Sequence, residues 1–267
     1  MTAIDQSLLD AVEKIAREAG EAIMAIYGRE FSVEEKADKS PLTEADAAAH
    51  ELIVARLQAL TPDMPILSEE DTAAFTGADG RGRYWLVDPL DGTKEFIKRN
   101  GEFTVNVALI ENGVAVLGVV YAPVLDVAYL GLKGLGAFKV DTEGRQPIRV
   151  CEHAQGDRWR VVGSRSHAGA ETTAWLEKLG QHEMVAMGSS LKLCLVAEGA
   201  ADVYPRLGPT MEWDTAAAQC VVEQAGGRVT DVHGRPLAYN KPDLHNPWFI
   251  VSGAGDYDWA RHVPAAA

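Results

Sequence analysis

Between residues 84 and 150, short apolar runs follow one another too closely to be helices: 85–87, 105–110, 114–121, 127–130 and 137–140. Each has the length of a strand, and the longer ones are rich in Val, which packs well on a pleated surface. Glu111-Asn112-Gly113 separates the second run from the third with residues that tolerate the positive φ of a tight hairpin. This stretch predicts an antiparallel sheet, and the rest of the chain must cover it.

Helical periodicity precedes the sheet. Residues 4–27 put Leu8, Val12, Ile15, Ala19, Ile23 and Ile26 on one face of an amphipathic helix, with Gly28 as its stop. A second helix is predicted from Thr43, whose Thr-x-x-Asp spacing to Asp46 resembles a capping box, to Leu60, where Thr61-Pro62 ends it. Beyond about residue 150, strand-like segments 160–162, 184–186, 201–204, 228–230 and 249–251 alternate with helix-like segments 172–179, 191–198 and 215–225. Such alternation is the mark of a layered α/β unit. No repeat or low-complexity tract separates residues 1–150 from residues 151–267, so two packed halves with a cleft between them are expected.

Composition narrows the class. With 267 residues and 47% hydrophobic content, the chain can bury a sizeable core. Its longest apolar runs, such as 114–120, fall far short of the roughly 20 residues that a membrane-spanning helix needs. The N-terminus has no basic stretch followed by an apolar one. Cys151, Cys194 and Cys220 are widely spaced and suggest neither a disulfide framework nor a zinc knuckle. A soluble, unprocessed cytoplasmic protein is the expectation. A net charge of −14 argues against a nucleic-acid polymer as partner, because such binding neutralises many phosphates with Lys and Arg. A small phosphate ester accompanied by cations remains compatible with it.

The first strand of the sheet leads into Trp85-Leu86-Val87-Asp88-Pro89-Leu90-Asp91-Gly92-Thr93-Lys94-Glu95-Phe96. Pro89 fixes the turn between Asp88 and Asp91, so their carboxylates can converge on one hard cation such as Mg²⁺. Gly92 lets backbone amides approach a phosphate, and Thr93 adds a hydroxyl at a predicted helix N-terminus. Three further acidic features stand at element boundaries: Asp46, the Ser68-Glu69-Glu70-Asp71 cluster, and Asp214 within Trp213-Asp214-Thr215-Ala216-Ala217. Taken alone, Asp214 reads as a helix N-cap and the Glu69 cluster as a solvated turn.

Taken together, the Glu-Glu pair, Asp-Pro-Leu-Asp-Gly-Thr and Trp-Asp-x-Ala-Ala resemble the lithium-sensitive, Mg²⁺-dependent phosphatases of the inositol monophosphatase superfamily. The resemblance covers nearly the whole chain. Residues 42–46, 94–106 and 188–192 look most like its bacterial 3′(2′),5′-bisphosphate nucleotidase branch, which serves sulfate assimilation. The resemblance implies an α/β (α+β layered) fold, an αβαβα sandwich, with residues 1–150 carrying most metal ligands and residues 151–267 completing the cleft. It implies that Glu69, Asp88, Asp91, Asp214 and the carbonyl of Leu90 bind two or three Mg²⁺ ions, and that Thr93 and Asp46 orient the attacking water with help from Glu69. It also has Glu69, Leu90, Asp91, Gly92, Thr93 and Asp214 facing the substrate. The implied reaction removes the 3′-phosphate of adenosine 3′,5′-bisphosphate, with inositol monophosphatase or fructose-1,6-bisphosphatase activity as the alternative. Two Mg²⁺ ions could stabilise both the attacking and the leaving oxygen of an in-line displacement. Oligomeric state and peripheral contact with the cytoplasmic face of the inner membrane stay open.

Ser189, Ser190 and Lys192, after Gly188 at a strand-to-helix turn, could hold a second phosphate; the alternative is an ordinary helix start with a solvated lysine. Arg165 and Arg206 are weaker candidates for that task, or surface charges. Other chemistries lack their signatures: His50-Glu51 is followed by Val at 54 rather than completing H-E-x-x-H, Gly134-Leu135-Gly136 reads as a turn, and neither a G-x-S-x-G elbow nor a Walker A loop occurs.

Overall fold

The computed structural model describes residues 3–35, 41–153, 157–163, 169–255 and 257–264. Helix α1 (Gln6–Tyr27) starts where Asp5 accepts the amide of Leu8, and it buries Leu9, Val12, Ala16, Ala19 and Ile23 completely. Strands β1 (Val33–Glu35) and β2 (Pro41–Thr43) pair antiparallel ahead of helix α2 (Glu44–Leu60). That helix begins at Thr43 with the predicted capping box, in which the Asp46 carboxylate reaches back to the Thr43 amide.

The expected sheet has seven strands: β3 (Ile66–Ser68), β4 (Arg83–Asp91), β5 (Thr104–Glu111), β6 (Val114–Ala122), β7 (Val127–Leu132), β8 (Gly136–Asp141) and β9 (Gly144–Pro147), in that order across it. From β4 to β9 the strands form an antiparallel meander. Its β5–β6 turn places Asn112 at φ 51° and Gly113 at φ 79°, the left-handed pair that a two-residue hairpin needs. The exception is β3, which runs parallel to β4; its three residues give too short an apolar run to register as a strand in the sequence.

Along β4, Trp85 and Val87 pack toward α1 and α2, while Tyr84 and Leu86 pack toward the opposite face. Period-2 alternation is therefore hidden in the sequence, because helices cover both faces. After the short helix α3 (Thr93–Ile97), the second half adds helices α4 (Ala170–Leu179), α5 (Leu191–Ala197) and α6 (Glu212–Gln224). It also adds strands β10 (Trp159–Gly163), β11 (His182–Ala186), β12 (Val203–Arg206), β13 (Arg228–Asp231) and β14 (Phe249–Ser252). These five form a mixed sheet in the order β11-β10-β12-β14-β13.

Five layers result: α1 with α2, the seven-stranded sheet, α5 with α6, the five-stranded sheet, and α4 with the 3₁₀ turn Trp259–His262. This is the αβαβα order. The middle helical layer shares one core with both sheets, joining Leu86 and Ile110 to Val196, Val221, Tyr204 and Phe249. Helix α6 lies directly on the first sheet: a Cβ at Gly131 would stand 2.8 Å from Cα of Val221, and one at Gly118 would collide with the Ala217 carbonyl. That backbone contact fixes where the N-terminus of α6, and with it Asp214, meets the end of β4. Among the described residues, no helix is long and apolar enough to cross a membrane.

Candidate active site

In a regular strand Asp88 and Asp91, three residues apart, would face opposite sides of the sheet. Strand β4 does not end at residue 87 as the sequence suggested; it continues to Asp91 with an irregularity. Asp88 pairs with Asn106 and Asp91 with Thr104, so β4 spends one residue more than β5 over this interval. Such a bulge turns the second aspartate toward the first. Pro89 has no N–H to contribute to the ladder here, and the Leu90 amide donates to Asp88 Oδ1 at 3.1 Å. Gly92, at φ 97°, then turns the chain into α3, with Thr93 as its first residue. A side chain at Gly92 would be strained in this conformation.

Asp46 and Thr93 meet as the resemblance implies. Both Thr43 Oγ1 and the Thr43 amide donate to Asp46 Oδ2, at 2.6 and 2.8 Å, while Thr93 Oγ1 lies 3.2 Å from Asp46 Oδ1. The capping box thus holds one carboxylate oxygen and aims the other at Thr93. Asp46 is only 1% exposed.

Asp214 is not the N-cap of its helix. That position belongs to Met211, and Asp214 stands at the third helical position, with Oδ2 accepting the Met211 amide at 2.9 Å. Met carries no capping signature, which is why the sequence pointed to the aspartate instead. Asn246 adds a clamp, donating through Nδ2 to the Met211 carbonyl at 2.7 Å and to Thr215 Oγ1 at 3.0 Å. Glu69 follows β3, tied to β4 by its amide donating to the Val87 carbonyl at 3.1 Å. Asp71 caps the 3₁₀ turn Thr72–Ala74, accepting the Ala74 amide.

Among the described residues, one group of carboxylates has metal-site geometry: oxygens of Asp88, Asp91 and Asp214 all lie within 4.8 Å of one another. Glu69 is outside this group, yet its charge bears on both Asp88 and Asp214. Burial, then Glu69, Asp91, Asp214 and Asp46, hold the Asp88 carboxyl well above the usual range. Burial and Asp91 likewise push Asp214 up to about 8. Crowded, buried carboxylates of this kind call for a cation, and an all-oxygen donor set suits a hard divalent ion.

The Gly188 turn brings Ser190 to the cluster. Its amide and hydroxyl lie 2.6 and 2.7 Å from Asp91 Oδ2, and the hydroxyl is also 2.8 Å from the Asp214 carbonyl. Asn106 Nδ2 donates to Ser190 Oγ at 2.9 Å. Asn106 was not singled out by sequence reasoning, although one polar residue inside the apolar run 105–110 is a signal that could have found it. Ser189 sits at φ 43° with its hydroxyl buried and without a hydrogen-bond partner among the described residues. Ser189, Ser190, Lys192, Arg206, Asp91 and Asp214 line one cleft. Burial lowers the Lys192 ammonium pKa, opposed by Asp91, and Arg206 donates to the Pro209 carbonyl at 2.8 Å. Arg165 lies outside the described residues.

The sequence profile of the inositol monophosphatase family matches residues 5–253. The chain belongs to the inositol monophosphatase family. Among members of that family, the 3′(2′),5′-bisphosphate nucleotidase CysQ of Escherichia coli K12 is 52% identical over 248 residues, 92% of this chain and 99% of that protein. The crystal structure of CysQ from Bacteroides thetaiotaomicron superposes with a TM-score of 0.81 at 46% identity, covering 94% of this chain and 98% of that one. The extragenic suppressor protein SuhB of Bartonella henselae gives the same TM-score at 25% identity, covering 96% and 98%. Members that share this fold thus carry different names, and the substrate has to be argued from the cleft.

Proposed function

We propose that this protein is a Mg²⁺-dependent phosphomonoesterase that removes the 3′-phosphate of adenosine 3′,5′-bisphosphate, giving AMP and phosphate, as part of sulfate assimilation. The observation that carries this reading is the placement of Lys192 and Arg206 in the same cleft as Asp91 and Asp214. Asp91 and Asp214 would suit a cation-bridged phosphate, and Lys192 and Arg206 would offer two cationic groups for a second one. The 52% identity to a protein named for bisphosphate nucleotidase activity supports the same substrate.

Asp88, Asp91 and Asp214 would hold Mg²⁺, with Glu69 and the Leu90 carbonyl completing the donor set for two or three ions. Bound Mg²⁺ would polarise the phosphoryl oxygens and neutralise charge that develops on them. With Thr93 donating to Asp46, the Thr93 oxygen keeps lone pairs that accept a hydrogen bond from a water, orienting it for in-line attack. Glu69, whose charge acts on Asp88, would help take the proton of that water. The Gly92 turn and the start of α3 would let main-chain amides approach the phosphoryl oxygens. The site would act in the cytoplasm on a small molecule rather than on a polymer.

The test is phosphate release from adenosine 3′,5′-bisphosphate, inositol 1-phosphate and fructose 1,6-bisphosphate under saturating Mg²⁺, with Asp88→Asn as control. The nucleotide should give the highest kcat/KM, and Asp88→Asn should be inactive on all three. Equal or better turnover of inositol 1-phosphate would overturn the nucleotidase reading.

A further inference from the structure

We propose that Glu95 is a specificity residue whose carboxylate accepts a hydrogen bond from the substrate hydroxyl on the carbon next to the scissile phosphate ester. The inference rests on the phosphomonoesterase reading above and deepens it by naming the sugar group that the site recognises.

Glu95 is the third residue of α3, and two glycines make room for it. Its Oε2 lies 3.4 Å from where a Cβ on Gly92 would stand, and its Cγ lies 3.0 Å from where a Cβ on Gly188 would stand. The side chain is therefore wedged between the turn that presents Thr93 and the turn that presents Ser189 and Ser190. A side chain at Gly188 would also meet the Glu102 carbonyl at 2.7 Å, so this packing requires glycine. Glu95 is half-buried, and its carboxylate forms neither a hydrogen bond nor an ion pair with any other described residue. Its charge is felt at Lys192, which lines the cleft, together with those of Asp91 and Asp214.

An ionised carboxylate accepts hydrogen bonds and donates none. Next to a phosphate cradle it repels phosphoryl oxygens, so phosphate is not its complement. It also stands apart from the three carboxylates that share one metal-site geometry. The complementary group is a neutral donor within a bond or two of the ester oxygen. In a ribose 3′-phosphate that donor is the 2′-hydroxyl. A carboxylate held in place before substrate arrives gives such a contact without a large ordering cost.

The test compares kcat/KM for adenosine 3′,5′-bisphosphate and for its 2′-deoxy counterpart, using wild type, Glu95→Ala and Glu95→Gln at saturating Mg²⁺. Wild type should prefer the hydroxyl-bearing substrate by about 10- to 100-fold, the range for a hydrogen bond to a charged acceptor. Glu95→Ala should bring that ratio close to one. Glu95→Gln, whose amide oxygen still accepts, should retain part of it. A general loss of activity, or relief of charge repulsion, changes both substrates alike and cancels from the ratio. Equal use of both nucleotides by wild type, or full discrimination surviving in Glu95→Ala, would overturn the inference while leaving the nucleotidase reading intact. Hydrolysis of neither nucleotide by wild type would overturn both.

Discussion

Ser190 reaches one oxygen of Asp91 with both its amide and its hydroxyl, at 2.6 and 2.7 Å, across 99 residues of sequence. Asp91 ends a strand of the first sheet, and Ser190 precedes α5 in the middle helical layer. The contact ties the two parts of the chain together at the carboxylate cluster. Ser190→Ala keeps the amide bond and removes the hydroxyl, so Asp91 should lose part of its orientation. Partners of this kind typically tune metal affinity by about 10- to 100-fold. Calorimetric titration with Mg²⁺ should show weakening in that range, and unchanged affinity would argue against the positioning role.

Thr93 and Asp46 are assigned to the water rather than to the cation. Thr93→Ala should lower kcat by about 10²- to 10⁴-fold, the usual worth of a positioned proton-transfer group, with little change in Mg²⁺ affinity. Asp46→Asn should act in the same direction, because the Thr93 hydroxyl loses its charged acceptor. Steady-state kinetics alongside metal titration separates the two effects.

The clustered carboxylates make metal binding and stability depend on pH together. Asp88 and Asp214 hold protons more tightly in the folded, metal-free chain than in the unfolded one, Asp214 up to about 8. Between the ordinary carboxylate range near pH 4 and about pH 8, the folded state binds more protons than the unfolded state, so metal-free stability should fall as pH rises through this window. Mg²⁺ competes with those protons, and its stabilising effect should therefore be larger at pH 8 than at pH 5. Melting temperatures with EDTA and with excess Mg²⁺ at both pH values check this. An equal Mg²⁺ effect at the two pH values would contradict it.

Sequence reasoning reached the fold through periodicity and reached the site through spacing, and both had physical limits. The helix start at Thr43 was legible because its capping box is written in neighbouring residues. The β5–β6 hairpin was legible because Asn-Gly suits a left-handed turn. Strand β3 was not, since it pairs through contacts that only the assembled sheet supplies. The bulge between Asp88 and Asp91 was read as a turn, because Pro89 breaks local regularity in either case. Asn106 and Asn246 went unnoticed because their roles depend on partners 84 and 31 residues away.

The close seat of α6 on the first sheet gives a stability prediction remote from the chemistry. Gly118→Val would drive a side chain into the Ala217 carbonyl, which belongs to helix backbone and cannot rotate away. Overpacking of this kind costs about 1–3 kcal/mol or more. Urea unfolding of the metal-free protein should show at least that loss. If α6 is displaced, Mg²⁺ affinity should fall with it, because the helix carries Asp214.

The most direct test of the carboxylate cluster is Mg²⁺-dependent phosphate release by protein stripped with EDTA, measured for wild type, Asp88→Asn and Asp214→Asn. Wild type should be inactive without cation and regain hydrolysis of adenosine 3′,5′-bisphosphate as Mg²⁺ is added, while the folded variants stay reduced by at least ~100-fold at any Mg²⁺ concentration, as expected when a group stabilising the transition state is lost. Full activity in the stripped wild type, or restoration of either variant to wild-type turnover, would contradict the assignment of Asp88, Asp91 and Asp214 as the seat of the cation.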